Sequence, residues 1–418
     1  MSRAGRRPPE DPAPAASAAH GRRVRFSGYG AAIFLSLAIT LSGCASGPEP
    51  AAEEPAESRA PQQTPEAEAP APTVTRELTI AAVGDMMLGT DYPEDHLPDD
   101  DGAGFLAGVA PVLSAADLTF GNLEGVLVDG GTPRKVCTNP SACFLFRTPS
   151  RYVQHFADAG FDVLSLANNH SRDFGERGRS ATMRTLDAAG IAHSGREGDF
   201  ASMEVEGLKV ALLAFAVTQK SNLLHDYDRA AETVLAHDAT HDIVIVSFHG
   251  GAEGNDVTRL PFAEEEYYGE PRGDVVYFAR KMVDAGADLV LGHGPHVVRA
   301  MERYRDRIIA YSLGNFATYY GISVNGLNGV APILQVTVDG TGRFIEGQVY
   351  STVQVRPGGP RRDESRHALH LIRSLSRQDF VTPGIRFLDN GRILPEARST
   401  FREHLRTPSG TEQTGGRP

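Results

Sequence analysis

Five short stretches of this chain carry side chains that ligate metal ions: Gly84-Asp85, Gly121-Asn122-Leu123-Glu124, Asn168-Asn169-His170 with Asp173, His249-Gly250-Gly251, and His293-Gly294-Pro295-His296. Carboxylate, amide and imidazole donors suit hard or borderline divalent ions when each is held rigidly at about 2 Å from the metal. Singly, each has a plainer reading: Asp85 as a turn or helix-cap residue, Glu124 as a surface carboxylate, Asn168 or Asp173 as a helix cap, His249 as a hydrogen-bonded core histidine. Their common placement is what sets them apart. Most follow an apolar run, LTIAAV, DVLSLA, DIVIVS or DLVLG, of the length and composition of parallel strands covered on both faces. Ligands of open α/β sheets gather at the carboxyl ends of the strands. The five stretches are therefore expected to meet in one metal site, most naturally with two ions.

Each stretch suggests a role. Asp85, after Gly84, can project its carboxylate from a tight turn at the end of a strand, and Glu124 can bridge two ions. Asn168, Asn169 and His170 combine amide oxygens with an imidazole, which suits a site that binds metal and protonates a leaving group. Asp173 is placed to orient His170 through its ring N–H. The two glycines after His249 let backbone approach a ligand closely, and Glu253 lies just beyond them. Gly294-Pro295 is a rigid bend that can aim His293 and His296 into one cavity. Asn315, in Ser312-Leu313-Gly314-Asn315-Phe316, fits a lining or structural role.

Strands and helices alternate from Glu77 onward, which predicts βαβ units in a layered α/β fold. Residues 157–164 and 283–290 repeat one pattern, in which a helix ends at a glycine, Gly160 or Gly286, and a strand follows. A further helix is expected over Gly178–Ala189, closed at Gly190. From Glu302 to Val355 the chain turns to β, and RIIAYSL, APILQVTV and FIEGQVYSTVQV are expected to form a second sheet packed on the first. Past Arg356 one helical pattern stands out, near Glu364–Leu375. These signals divide the chain into an export signal (1–43), a Pro/Ala/Glu-rich tether too poor in bulky apolar residues to fold (44–76), a main domain (77–355), a C-terminal extension packed on it (356–405) and a disordered tail (406–418).

The N-terminus bears on compartment. Arg3, Arg6, Arg7, Arg22, Arg23 and Arg25 precede an apolar stretch from Tyr29 to Leu41 that is short for a membrane span and is followed by small residues, the pattern of a cleaved export signal. Leu41-Ser42-Gly43-Cys44 resembles the lipobox of bacterial lipoproteins, which implies a lipid on Cys44 and an extracytoplasmic, membrane-anchored protein of the cell envelope. A plain anchor, or an ordinary signal with a chance cysteine, is the alternative. Outside the cytoplasm Cys137 and Cys143, with five residues between them, read as a loop-closing disulfide, and no second pair of soft ligands lies near to make them a metal site. The formal net charge of −12 and the absence of Trp argue against nucleic acid as a partner.

The ordered set Gly-Asp-x-Met-Leu-Gly, Asn-Leu-Glu, Ala-Asn-Asn-His-x-x-Asp-x-Gly, His-x-Gly-x-Glu, Gly-His-x-Pro-His-Val and Ser-Leu-Gly-Asn-Phe, over roughly residues 78–320, resembles the CapA family of poly-γ-glutamate capsule synthesis proteins. That family resembles the calcineurin-like metallophosphoesterases, which implies a four-layer α/β/β/α sandwich of two sheets flanked by helices. The resemblance further implies Asp85, Glu124, Asn169, His249, His293 and His296 as ligands of one or two divalent ions (Mn, Fe, Zn or Mg) and His170 as general acid. It also implies an anionic polymer or phosphoester as substrate, with other capsule-synthesis proteins as partners. Three positions depart from the pattern. Met87 stands where metallophosphoesterases carry a second His ligand, Gly294 where many CapA-like chains carry His, and Gly250 where many carry Trp. The function expected is capsule or anionic-polymer biosynthesis or export; a metal-dependent phosphoesterase and a noncatalytic binding lipoprotein are the alternatives.

Overall fold

The computed structural model describes residues 76–135 and 144–396. The expected export signal, most of the expected tether, the C-terminal tail, Cys44, Cys137 and Cys143 lie outside the described residues.

Two large sheets carry the fold. The first runs, in spatial order, Ile385–Phe387, Arg392–Pro395, Phe344–Gln354, Val330–Asp339, Glu77–Met87, Leu118–Leu123, Val163–Ser165 and Ala192–Ser194; Asn315–Thr318 pairs with Glu77–Met87, and Pro360–Arg362 with Phe344–Gln354. The second runs Met301–Tyr304, Arg307–Ala310, Leu289–His293, Ile243–His249, Leu208–Ala216 and Ala201–Val205, with Asn222–Leu223 beside Leu208–Ala216. Side chains alternate across each strand, so every central strand feeds two cores. Ile80, Phe120 and Val336 of the first sheet share one buried cluster with Leu212, Ile245 and Leu291 of the second. On the outer face of the first sheet Ala81, Val83 and Leu164 meet Leu113, Phe156 and Leu186. On the outer face of the second, Leu213, Val244 and Val246 meet Val234, Phe278 and Met282 from the helices Tyr227–Asp238 and Val275–Asp284. Helix, sheet, sheet and helix thus stack as the α/β/β/α sandwich.

The parallel strands share a device at their starts. Asp117, Asp162, Asp242 and Asp288 each stand just before a strand, and their carboxylates accept from the backbone N–H of Thr79 (2.9 Å), Thr119 (2.8 Å), Lys209 (2.7 Å) and Val244 (2.8 Å) on the neighbouring strand. Each aspartate's own N–H donates back to the carbonyl of that same residue. The reciprocal pair satisfies backbone groups that the ladder would otherwise leave open at its edge. Both copies of the repeated helix-Gly-strand unit end in such a clamp, after Gly160 (φ 89) and Gly286 (φ 114).

The C-terminal β segments do not make a separate sheet. Met301–Tyr304 and Arg307–Ala310 extend the second sheet, whereas Val330–Asp339 pairs antiparallel with Glu77–Met87 and carries Phe344–Gln354 with it into the first. Alternation and β-branched composition mark strands without naming their partners, and here the chain changes sheets between Ala310 and Asn315. Residues 360–396 are woven in as well. They add three strands to the first sheet, and Leu369 and Ile372 of the helix His367–Asp379 enter the core between the sheets.

Candidate metal centre

Asp85 lies inside the strand Glu77–Met87, not in a turn after it, and pairs across the sheet with Asn122 and Asn315. Gly84 has a different reason from the tight turn expected: a Cβ there would meet the Gly314 carbonyl oxygen at 1.9 Å, and the Asp85 N–H donates to that same oxygen at 2.9 Å. Gly84→Ala is expected to destabilise the protein by about 1–3 kcal/mol through overpacking and to weaken metal binding by displacing Asp85. Urea denaturation alongside a metal titration checks both effects.

His249 and His293 are the last residues of adjacent parallel strands and stand side by side in register. His296, beyond the Gly294-Pro295 bend, has left-handed backbone at φ 59, a conformation that costs about 1–3 kcal/mol and persists only where the surroundings impose it. Asn315 Oδ1 meets its ring Nδ1 at 2.8 Å, and Asn328 Nδ2 donates to its carbonyl at 2.9 Å. The bend brings both rings to Asp85: His293 Nδ1 lies 3.4 Å from Oδ1 and His296 Nδ1 3.1 Å from Oδ2. His296 Nε2 is 3.8 Å from Glu124 Oε1 and from Glu253 Oε2. One donor atom each from Asp85, Glu124 and His296 falls within a 4.8 Å group.

The donors fit a cation by what they lack. Asp85 Oδ2, both Glu124 oxygens, Asn169 Oδ1 and both ring nitrogens of His249 and His293 are buried with no hydrogen-bond partner. Each such group costs about 1–3 kcal/mol when left unpaired, so this concentration is unfavourable unless a bound ion satisfies it. Asn122 and Asn168 are different, because their amides are spent on one another. Asn122 Nδ2 donates to Asp85 Oδ1 at 2.8 Å, Asn168 Nδ2 donates to Asn122 Oδ1 (3.1 Å) and Leu123 O (2.9 Å), and Asn168 Oδ1 accepts from the His170 N–H at 3.1 Å. They form an amide chain that orients Asp85 from behind.

Electrostatics are divided in the same way. Burial opposes ionisation of Asp85, but His293 and His296 outweigh it and hold the carboxyl well below its usual range. Burial raises Glu124 to about 8, against the pull of His296. His296 is disfavoured as a cation by burial, yet Glu124, Asp85 and Glu253 raise it to about 10. Burial drives His249 well below its ordinary value. At neutral pH Glu124 and His296 therefore hold protons that a metal must displace, and affinity is expected to rise as pH increases from 6 to 9, by about tenfold per unit for each proton released. Calorimetry in buffers of different ionisation enthalpy checks the proton count.

Beside this cluster, His170 Nδ1 meets Asp173 Oδ2 at 2.8 Å, and that oxygen also accepts from the Phe146 N–H at 2.8 Å. Asp173 therefore fixes the His170 ring and leaves Nε2 free. Burial pushes His170 down, Asp173 opposes that, and Lys135, with Nζ 3.4 Å from Nδ1, adds to it. Burial thus disfavours the charged ring, and a bound anion would favour it. His170 and Asn169 line a cleft of ≈ 1450 Å³ together with Lys135, Glu253, Arg272 and His296.

A family model described as Bacterial capsule synthesis protein PGA_cap matches residues 79–320. The chain belongs to this family. It is 31% identical over 288 residues to the capsule biosynthesis protein CapA of Bacillus anthracis, covering 60% of this chain and 62% of that protein's length. It is 28% identical over 284 residues to the PGA biosynthesis protein CapA of Bacillus subtilis, covering 64% and 70% respectively. Among solved structures, the purple acid phosphatase PPD1 of yellow lupin overlaps 72% of this chain and 56% of its own at 11% identity and a TM-score of 0.34. A likeness that low carries no weight, and the fold rests on the sheets and cores described above.

The residues at Met87, Gly250 and Gly294 have local reasons. Met87 is buried against Phe146 and Ile322, its sulfur accepting from the Gly89 N–H at 3.3 Å, so an apolar wedge occupies that place beneath His170, whose ring lies 4.3 Å from Phe146. The glycines after His249 are demanded by the protein itself. A Cβ on Gly250 would meet the Arg272 carbonyl oxygen at 2.9 Å, and one on Gly251 would meet Arg299 Nη1 at 2.9 Å. At Gly294 a Cβ would lie 2.9 Å from the Gly250 carbonyl oxygen and 3.3 Å from Arg272 Nη2. The buried Arg272 thus fills the space next to two of the missing side chains, and its ion pair with Glu253 (2.9 Å) aims that carboxylate toward His296. Lys135 and Arg272 follow no periodic pattern, and full burial is rare for Arg, so sequence reasoning had no signal for either.

Proposed function

We propose that this chain acts in the biosynthesis or export of poly-γ-glutamate or another anionic surface polymer, through a metal-binding cleft. The observation that carries this reading is the set of buried, unpartnered donors on Asp85, Glu124, Asn169, His249 and His293 beside His296, at a cleft also lined by Arg134, Lys135 and Arg172. With Met87 in place of a ligand, one ion is the expected load, held by Asp85, Glu124 and His296 with His249, His293 and Asn169 as further donors. A bound divalent ion supplies a concentrated positive charge that polarises a carboxylate, amide or phosphate oxygen. The protein's own groups do the rest: Asp173 holds His170, His170 Nε2 is free to exchange a proton and gives one when a bound anion favours the charged ring, Arg272 steadies Glu253, and Lys135 attracts the anion.

The names of the relatives support the polymer reading, while the placement of the His170–Asp173 pair beside the donor cluster favours a second, a metal-dependent phosphoesterase of the cell envelope. The wedge at Met87 favours the third, a noncatalytic binding lipoprotein. In cells lacking the protein, wild type is expected to restore surface polymer, whereas Asp85→Asn and His170→Gln are not. Turnover of a simple phosphodiester that is lost in His170→Gln would favour the second reading. Normal polymer with Asp85, Glu124, His249, His293 and His296 all replaced would overturn both.

Localisation belongs to the same proposal. Cys44 carries a lipid, the Pro-rich stretch after it spaces the domain from an extracytoplasmic membrane surface, and Cys137 and Cys143 close a disulfide. Cys44→Ser is expected to move the protein from the membrane fraction to the soluble fraction. An unchanged membrane fraction contradicts the lipid assignment.

A further inference from the structure

The helix Tyr227–Asp238 runs out through His237-Asp238-Ala239-Thr240-His241, two imidazoles one turn apart that the candidate metal centre does not use. The turn continues in the backbone past the helix end, because the His241 N–H donates to the His237 carbonyl at 2.9 Å. Side chains at this spacing share a face, and a histidine pair four residues apart holds zinc in metalloprotease helices. Here the ring centroids lie 5.6 Å apart, with 30° between the planes. Two imidazoles bound to one ion through nitrogens at about 2.0–2.1 Å keep their ring centres about 5–6 Å apart.

The protonation of the rings is the second observation. His237 Nδ1 meets the Thr233 carbonyl at 2.8 Å, and His241 Nδ1 meets the His237 carbonyl at 3.1 Å. A carbonyl oxygen only accepts, so each ring carries its proton on Nδ1 and presents a lone pair on Nε2. Thr240 Oγ1 stands 2.9 Å from the same His241 nitrogen, but its own proton goes to the His237 carbonyl at 3.1 Å, which leaves that assignment unchanged. Metal-binding histidines are oriented by the same device, a second ring N–H given to a carbonyl or carboxylate. The His241 lone pair is in use, accepting from the exposed Ser202 hydroxyl at 2.9 Å. A rotatable surface hydroxyl can yield that place to an ion and turn to water. Phe200 packs edge-on against His237, with ring centroids 5.0 Å apart, and so restrains that ring.

The carboxylates next in sequence are committed elsewhere. Asp242 accepts from the Lys209 N–H at 2.7 Å, and Asp238 lies against Gly286. An ion here would therefore take two imidazoles from the protein and water in its other positions, at a helix C-terminus, whose dipole favours a cation. The pair is also far from the cleft. The strand Ile243–His249 begins two residues after His241 and ends on His249, and seven residues at about 3.3 Å each separate its ends by about 20 Å.

We propose that His237 and His241 form a second metal site, a surface chelate that holds a borderline divalent ion, Cu²⁺ or Zn²⁺, through both Nε2 atoms. Imidazole ligands select these ions over Mg²⁺ and Ca²⁺, and Cu²⁺ binds the more tightly of the two. The site stands apart from the reading given for the cleft and does not depend on it.

The test is a Cu²⁺ titration of the full chain followed by electron paramagnetic resonance, with the double variant His237→Gln, His241→Gln in parallel. Wild type is expected to take up one equivalent more than the double variant, and the difference spectrum to show coupling to two imidazole nitrogens. Each single variant is expected to hold that equivalent about 100-fold more weakly, because two ligands on one backbone act at a high effective concentration. A measurement on the wild type alone runs beside it: Cu²⁺ is expected to shield both rings from carbethoxylation at Nε2, read by peptide mass. Asp85→Ala is expected to keep the extra equivalent. Its loss there would assign the ion to the cleft and overturn the second site. Equal uptake by wild type and double variant, or rings that stay fully reactive in the presence of Cu²⁺, would overturn it as well.

Discussion

Stripping the protein with a strong chelator is expected to lower its thermal midpoint by about 5–15 °C. An ion present at 100 to 1,000 times its dissociation constant stabilises the folded state by about 2.7–4.1 kcal/mol, and each kcal/mol moves a large domain by a few degrees. Removing it leaves the buried Asp85, Glu124, Asn169, His249 and His293 atoms without partners. The gap should widen with pH. In the metal-free protein Glu124, raised to about 8, and His296, raised to about 10, contribute stability that is fully present below their unfolded values, about 4.3 and 6.5. It is lost as pH rises through the folded values. The metal-loaded protein has already given up those protons and escapes that loss. Scanning calorimetry with and without chelator between pH 6 and 9 measures the gap; a midpoint indifferent to chelator at every pH would remove the thermodynamic support for the site.

Glu265→Ala is expected to destabilise the protein by about 3–5 kcal/mol. Arg299 is fully buried, and Glu265 grips it through two contacts of 2.8 and 2.7 Å while Arg299 Nε donates to the Val257 carbonyl at 2.9 Å. Removing the carboxylate strands a buried guanidinium. It also frees the Ala252 N–H, which donates to Glu265 Oε2 at 3.0 Å, and so loosens the segment carrying Glu253. Arg299→Met combined with Glu265→Leu is expected to recover most of the loss, because an apolar pair of similar volume leaves no orphaned charge. A double-mutant cycle by urea denaturation distinguishes the two contributions. Additive single-variant losses would mean that the pair is not coupled.

The ends of the apolar runs made this site legible. LTIAAV, DIVIVS and DLVLG each deliver Asp85, His249 or His293 to the end of a strand, and the Gly294-Pro295 bend turns His296 back on Asp85. The aspartates before each strand were visible too, but their clamping partners are 33 to 44 residues away. Local pattern does not encode such pairings, and for the same reason Val330–Asp339 was not assignable to the first sheet. Gly84 is explained by the Gly314 carbonyl and not by a turn, while Gly250 lies against the Arg272 carbonyl and Gly251, at φ 83, against Arg299. A glycine in sequence shows that something comes close without showing what. Lys135 and Arg272 acquire meaning only from their places beside His170 and Glu253.

The central claim is that these donors hold an ion. Elemental analysis of the purified full chain, compared with Asp85→Ala and His296→Ala, tests it most directly. About one divalent ion per chain is expected in the wild type, falling below about a tenth in each variant while both remain folded. An equal metal content in all three would contradict the account.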